Sequence, residues 1–422
     1  MDQALMQFFL QSIRETVKPS TGCTEPGAVA LNTALARRHA RGAFRRLSVR
    51  MDEFLFKNAM GVGIPGSDER GVALCAALGV TAGNPDLGLC ALENVTPEQL
   101  ARAKQMVADK LVEVSICPSA AELFIQSTLE TDEDAVRVTT CERHDNILEI
   151  VHAPFPEEVA TGDGAHDAPI LAHTLEEMLA FARSVPLEDL AFLEEGLRMN
   201  LAIAEAGGEL EMGRAMRALI RRGALGQSPM TQAKFLCASA AYARMSGVSL
   251  PVMSATGSGN QGITVTLTIE GTAQALASPR ETKLRALALA HLVNLYGKAH
   301  IGNLSALCSC GISSGLGASV GIVYMLGGTL EQMLLAAKNM IGSICGMICD
   351  GAKEGCANKV ELAAGLAVQS AFLAVENMGI PGDNGILSSQ WQRLFENLGA
   401  LARRGMRETN RVIVDIMRAE QG

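Results

Sequence analysis

Leu5, Phe8, Phe9, Ile13 and Val17 recur at near-helical spacing and predict a first helix, which Lys18-Pro19-Ser20 ends. A second helix is expected over about 26–41, with Pro26 at an early position and Ala, Val and Leu throughout. The period then changes to two. Residues 47–51 (LSVRM), 111–116 (LVEVSI), 135–140 (AVRVTT) and 147–151 (ILEIV) read as strands, and 99–109 as a helix between them. Residues 154–169 (PFPEEVATGDGAHDAP) carry Pro, Gly and acids without periodicity and read as a linker. Beyond it the apolar spacing is helical near 170–184, 187–206, 229–246, 280–298, 330–348, 356–378 and 407–419. One interruption stands out: the small polar loop 253–261 (MSATGSGNQ), followed by a β-branched run, 262–269 (GITVTLTI), that reads as a strand. The expected fold is α+β. A predominantly helical domain at 165–422 is joined by the N-terminal helices (1–42), and a smaller α+β module at 43–160 is inserted against it.

Composition narrows the class of protein. The chain has 422 residues, 48% hydrophobic and 19% charged, enough to bury a large core and too apolar for wholesale disorder. With 36 basic against 45 acidic residues the net charge is −9, so no electrostatic footprint for nucleic acid exists. The basic cluster Arg37, Arg38, Arg41, Arg45 and Arg46 reads as the dressed end of a helix. Residues 301–330 contain no charged side chain, yet seven glycines and five serines make them a poor membrane span and a good close-packed segment. The N-terminus lacks a basic stretch followed by an apolar run, and a cytoplasmic location is expected. A low-charge, apolar chain of this kind is also expected to form a homo-oligomer.

Eleven cysteines in a long chain without a secretion signal read as thiols or ligands rather than disulfides, and five of them fall between Cys308 and Cys356. Cys308-Ser309-Cys310 and the later Cys345, Cys349 and Cys356 do not match paired zinc spacing or a ferredoxin run. Cys345 and Cys349, four apart, are expected on one helix face. Thiolates from these separate segments would suit a metal or cluster; buried inert thiols are the competing reading. Cys23 lies just ahead of the second helix, whose positive end favours a thiolate, against the plainer reading of a packed turn. Lys57-Asn58 with residues 61–66 (GVGIPG) forms a glycine-punctuated loop without the order of a nucleotide site. Residues 256–261 (TGSGNQ) offer hydroxyls, amides and backbone N–H groups that would grip a carboxylate. His291 and His300 are expected in core or supporting roles, and His144 in an unremarked strand context.

Residues 20–30 (STGCTEPGAVA), 56–66 (FKNAMGVGIPG), 257–262 (GSGNQG), 302–311 (GNLSALCSCG) and 346–359 (GMICDGAKEGCANK) together resemble the L-cysteine desulfidase family, itself related to the α-chain-like region of iron–sulfur L-serine dehydratases. The resemblance implies a [4Fe–4S] enzyme without pyridoxal phosphate that converts L-cysteine to pyruvate, ammonia and sulfide. It implies Cys349 and Cys356 as cluster ligands with Cys308 as third, Cys310 being the neighbouring alternative, and Cys345 as packing. It implies Cys23 as the catalytic base. Ser258, Asn260 and Gln261 are candidates for the substrate carboxylate, and Glu25, Lys57 and Asn58 for its carboxylate or amino group. Two other readings stand beside this one: dehydratase-like β-elimination of another amino acid, and a non-catalytic iron–sulfur or zinc sensor.

Overall fold

A computed structural model of the chain describes residues 1–20, 24–61, 63–64, 69–117, 123–156, 168–302 and 304–420. The chain opens with α1 (Gln3–Thr16), β1 (Val17–Ser20) and α2 (Thr24–His39). A mixed region follows: β2 (Phe44–Met51), α3 (Glu53–Met60), α4 (Val72–Thr81), α5 (Pro97–Ala108), β3 (Val112–Ile116), β4 (Ile125–Thr131), β5 (Ala135–Thr140) and β6 (Ile147–His152). The rest is helical apart from one strand: α6 (Leu175–Ser184), α7 (Phe192–Gly208), α8 (Glu211–Arg221), α9 (Pro229–Met245), β7 (Val252–Ala255), α10 (Gly259–Leu276), α11 (Arg280–Ile301), α12 (Ile312–Met325), α13 (Leu330–Ile344), α14 (Cys356–Val375), α15 (Trp391–Ala400) and α16 (Arg407–Ala419). The fold is α+β and predominantly helical. No helix among the described residues is long and apolar enough to cross a membrane.

The five-stranded sheet runs β3-β2-β4-β5-β6, with β2 and β3 parallel and the other neighbours antiparallel. The parallel pair is bridged by α3, α4 and α5, because parallel strands need a long crossover. One core unites this sheet with α2, whose Ala28, Val29 and Leu31 pack beside Leu47, Ile125 and Val138. Thus α2, grouped by sequence with the helical domain, buries its apolar side on the sheet. The larger core joins α1 to the later helices through Phe9, Ile13, Leu289 and Ile341. A second, two-stranded sheet pairs β1 with β7, Val17 opposite Ala255, and so ties the entry to α2 to the loop ahead of α10.

Three local expectations change. The run GITVTLTI lies inside α10, not in a strand. Every residue from Gly259 to Ala273 is buried, so the helix has no polar side to create a 3.6-residue period. Thr264 Oγ1 donates to the Asn260 carbonyl at 2.7 Å and Thr272 Oγ1 to that of Thr268 at 2.8 Å, which satisfies these hydroxyls within the helix. Lys57 and Asn58 belong to α3 rather than a loop, because Asp52 caps that helix by accepting from the backbone N–H groups of Phe54 and Leu55 at 2.9 and 3.0 Å. Cys345 and Cys349 share no helix face, since α13 stops at Ile344. The glycines of the uncharged stretch let α12 approach α11 closely: a Cβ on Gly321 would stand 2.8 Å from the Ala286 carbonyl oxygen.

His291 and His300 are buried in this helical core, and His300 lies against the rings of Tyr296 and Phe395. Burial pushes both down to about 4 from 6.5, with Arg403 adding to the effect at His300. The unfolded chain therefore takes up these protons from about pH 6.5 downward, whereas the native chain resists until about pH 4. Stability is complete above that window and is lost as pH falls through it, by roughly 3 kcal/mol per histidine at most. Melting temperatures at constant ionic strength are expected to drop between about pH 7 and pH 5, and less steeply in a His291→Gln/His300→Gln variant. Equal slopes for parent and variant would assign the decline to other groups.

Candidate active site

Two cysteine-bearing loops meet after α11 and after α13. The backbone N–H of Cys308 donates to the Met347 carbonyl at 2.8 Å, that of Cys349 to the Ala306 carbonyl at 2.7 Å, and Leu307 bridges Ile348 in antiparallel fashion. This short ladder sets the register of Cys308 against Cys349. Cys356 opens α14, and its thiol reaches the Gly351 carbonyl at 3.6 Å. Gly351 has φ +91°, and a Cβ there would sit 2.6 Å from the Lys57 carbonyl oxygen, so glycine is required on both counts. Cys308 feels the charges of Cys310, Cys349 and Cys356, which places all four sulfurs in one neighbourhood. Cys345 instead packs against the large helical core.

The thiols differ in acidity. Cys308 is raised by its hydrogen bond with Cys310, by burial and by the other thiols. Cys310 is the more acidic member of that pair, held down by the hydrogen bond from Cys308 against the opposing effect of burial, with help from Ser258, Lys298 and Arg244. The Ser258 hydroxyl lies 3.4 Å from the Cys310 sulfur. Burial pushes Cys356 up to about 12.

Positive charge surrounds the loops. Lys57 is fully buried, and its ammonium donates to the Ser305 carbonyl at 3.2 Å and to Asn410 Oδ1 at 2.8 Å. Burial lowers its pKa, while Cys349, Asp350 and Cys308 pull the other way. Lys359 donates to the Ile348 carbonyl at 2.9 Å and, with Lys353, to the Asp350 carboxylate. Burial opposes the Lys359 charge, yet Asp350 and the thiols hold its pKa above the ordinary value.

The other wall comes from the turn before α10. Thr256 and Gly257 both have positive φ, and Ala255 and Ser258 exchange backbone hydrogen bonds of 2.9 and 3.1 Å around them. Ser258 stands at the helix N-cap without a side-chain capping bond, so its hydroxyl leaves the first-turn N–H groups at the positive end of the helix uncapped. Arg244 donates to Asn260 Oδ1 at 3.2 Å and Thr256 to Gln261 Oε1 at 2.6 Å. With their oxygens taken, both amides offer NH₂ groups. Thr24 Oγ1, at the start of α2, donates to the Gly257 carbonyl at 2.9 Å. Next to it Glu25 accepts from Asn58 Nδ2 at 3.0 Å, and Asn58 Oδ1 accepts from the Cys349 thiol at 3.7 Å.

The structure thus gathers Glu25, Lys57, Asn58, Ser258, Asn260, Gln261, Cys308, Cys349 and Cys356 about one seam; Cys23 lies outside the described residues. Lys57 is committed to protein acceptors rather than exposed. Sequence reasoning passed over Asn410, Arg244, Lys298 and His144. The first three sit in ordinary helical patterns and His144 in a hairpin turn, so nothing local marks them. Among the described residues no three Cys, His, Asp or Glu side chains stand close enough to chelate one ion. Soft thiol donors from separate segments, ringed by cations, fit an iron–sulfur centre in chemistry.

Asn410 accepts a hydrogen bond from a buried ammonium, so Asn410→Ala is expected to lower the unfolding free energy by about 2 kcal/mol in urea titration. Adding Lys57→Met should recover part of the loss, because no unpaired buried charge is left. A strictly additive double variant would show that the two residues are uncoupled.

Residues 76–415 match the family described as serine dehydratase alpha chain. Over 414 residues, 97% of both chains, the sequence is 37% identical to a UPF0597 protein of Caldanaerobacter subterraneus. A UPF0597 protein of Aeromonas hydrophila is 37% identical over 424 residues, 98% of this chain and 96% of that one. One from Clostridioides difficile is 34% identical over 420 residues, 97% and 98% of the two chains. The chain belongs to the serine dehydratase alpha-chain family.

Proposed function

We propose that this protein is a carbon–sulfur lyase that converts L-cysteine and water to pyruvate, ammonia and hydrogen sulfide, with a [4Fe–4S] cluster held by Cys308, Cys349 and Cys356. The observation that carries this reading is that Cys308 feels the charges of Cys310, Cys349 and Cys356 while Cys310 lies 3.4 Å from the Ser258 hydroxyl at the N-cap of α10. A cluster held by these thiols would supply Lewis acidity toward the leaving sulfur.

The chain's own residues carry the remaining work. The first-turn N–H groups of α10, which no N-cap side chain takes, and the amides of Asn260 and Gln261 hold the substrate carboxylate. Glu25, fixed by Asn58, faces the α-ammonium. Cys23, immediately ahead of α2, removes the α-proton as a thiolate favoured by the helix start. The electron pair left on Cα expels sulfide from Cβ, giving aminoacrylate. Its tautomer, an imine, is hydrolysed to pyruvate and ammonia. The same residues would serve loss of water from L-serine, and the family match favours serine as the competing substrate.

Anaerobic reconstitution with iron and sulfide, followed by pyruvate and sulfide assays on L-cysteine and L-serine, tests the reading. Faster turnover of serine would reassign the leaving group. Cys349→Ala and Cys356→Ala are each expected to lose iron and turnover together; full iron with full turnover would remove that residue from the ligand set. Of Cys308→Ala and Cys310→Ala, the variant that retains iron identifies the bystander. Cys23→Ser should keep its iron, lose at least ~10²-fold in turnover, and no longer exchange the substrate α-proton with solvent. Exchange at the parent rate would remove Cys23 from the base role.

A further inference from the structure

The hairpin joining β5 to β6 reaches across the seam. Its own hydrogen bonds fix the tip: Cys141 N–H to the Asn146 carbonyl at 3.2 Å, Arg143 N–H to that of Cys141 at 2.8 Å, and Asn146 Nδ2 to Cys141 at 3.0 Å. None of these bonds uses the side chain of His144, which is turned toward the helical part. Its Nδ1 stands 3.9 Å from the position a Cβ on Gly257 would occupy. Its Nε2 is shut off from solvent with no hydrogen-bond partner, although the residue as a whole is only half-buried. Glu25 at the start of α2 and Lys298 on α11 both act on the ring electrostatically. The surroundings differ from those of His291 and His300, which lie in the large helical core. His144 lies where three chain segments bring a carboxylate, an ammonium and a polar turn together.

An unpaired buried nitrogen is costly, and a ligand atom at the seam would remove that cost. Desolvation holds the imidazole below its ordinary value, so at neutral pH it is uncharged and has one N–H to give. A neutral donor that feels both Glu25 and Lys298 would complement a zwitterion, with the ammonium end toward Glu25 and the carboxylate toward Lys298. We propose that His144 is a substrate-contacting residue whose Nε2–H donates to the α-carboxylate of the amino acid, an inference that rests on the β-elimination reading. The sheet region thereby contributes a wall of the site.

The test uses the reconstituted full chain with two thiol probes. One is 3-mercaptopropionate, which has the carboxylate and lacks the amine; the other is cysteamine, which has the amine and lacks the carboxylate. His144→Ala is expected to raise KM for L-cysteine and Ki for 3-mercaptopropionate by ~10-fold or more, the weight of a hydrogen bond to a charged group, while cysteamine stays within ~2-fold. His144→Gln, which keeps an N–H donor, should restore part of the loss. If the alanine variant fails to fold, His144→Phe repeats the comparison with ring volume and no donor. Equal losses for both probes, or none for either, would overturn the assignment. A parent protein that turns over no amino acid would instead overturn the β-elimination reading, and calorimetric binding of the two probes would still decide the role of His144.

Discussion

Thiols brought into one neighbourhood repel each other once ionised, and burial penalises the charges of Cys308 and Cys356 further. Everything about the seam answers that constraint. The backbone ladder between the Cys308 and Cys349 loops holds the sulfurs in place without relying on side chains. Lys57, Lys359, Lys298 and Arg244 then bring positive charge from four different helices, α3, α14, α11 and α9. The site exists only where these elements meet.

That requirement explains the architecture. The sheet region supplies α3 with Lys57 and Asn58, and also the hairpin bearing His144; the helical part supplies both cysteine loops and the Ser258 turn. The β1–β7 pair, together with the bond from Thr24 to the Gly257 carbonyl, fastens α2 to that turn. Lys57 pins α3 to the 305 loop and, through Asn410, to α16 near the C-terminus. Chain segments more than 350 residues apart are thereby held by one ammonium.

Much of this was legible in the sequence. Period-two runs found β2, β3, β5 and β6 because these strands carry alternating or β-branched positions. β4 escaped, since IQSTLET is largely polar and buried by its place in the middle of the sheet rather than by its own pattern. α10 was misread for the opposite reason: it is buried all round, and β-branched propensity is a weak guide where packing decides. The candidate residues that the fold brings together were singled out where chemistry and punctuation coincide, as in GSGNQG and CDGAKEGC. Arg244, Lys298, Asn410 and His144 were invisible, because their importance comes from where the fold carries them.

The proposed chemistry stands on the thiols holding a cluster. Iron and acid-labile sulfide quantified per chain after anaerobic reconstitution test that most directly. About four of each per chain is the predicted result, with both lost when Cys349 is replaced by alanine. One zinc per chain with no labile sulfide would contradict it.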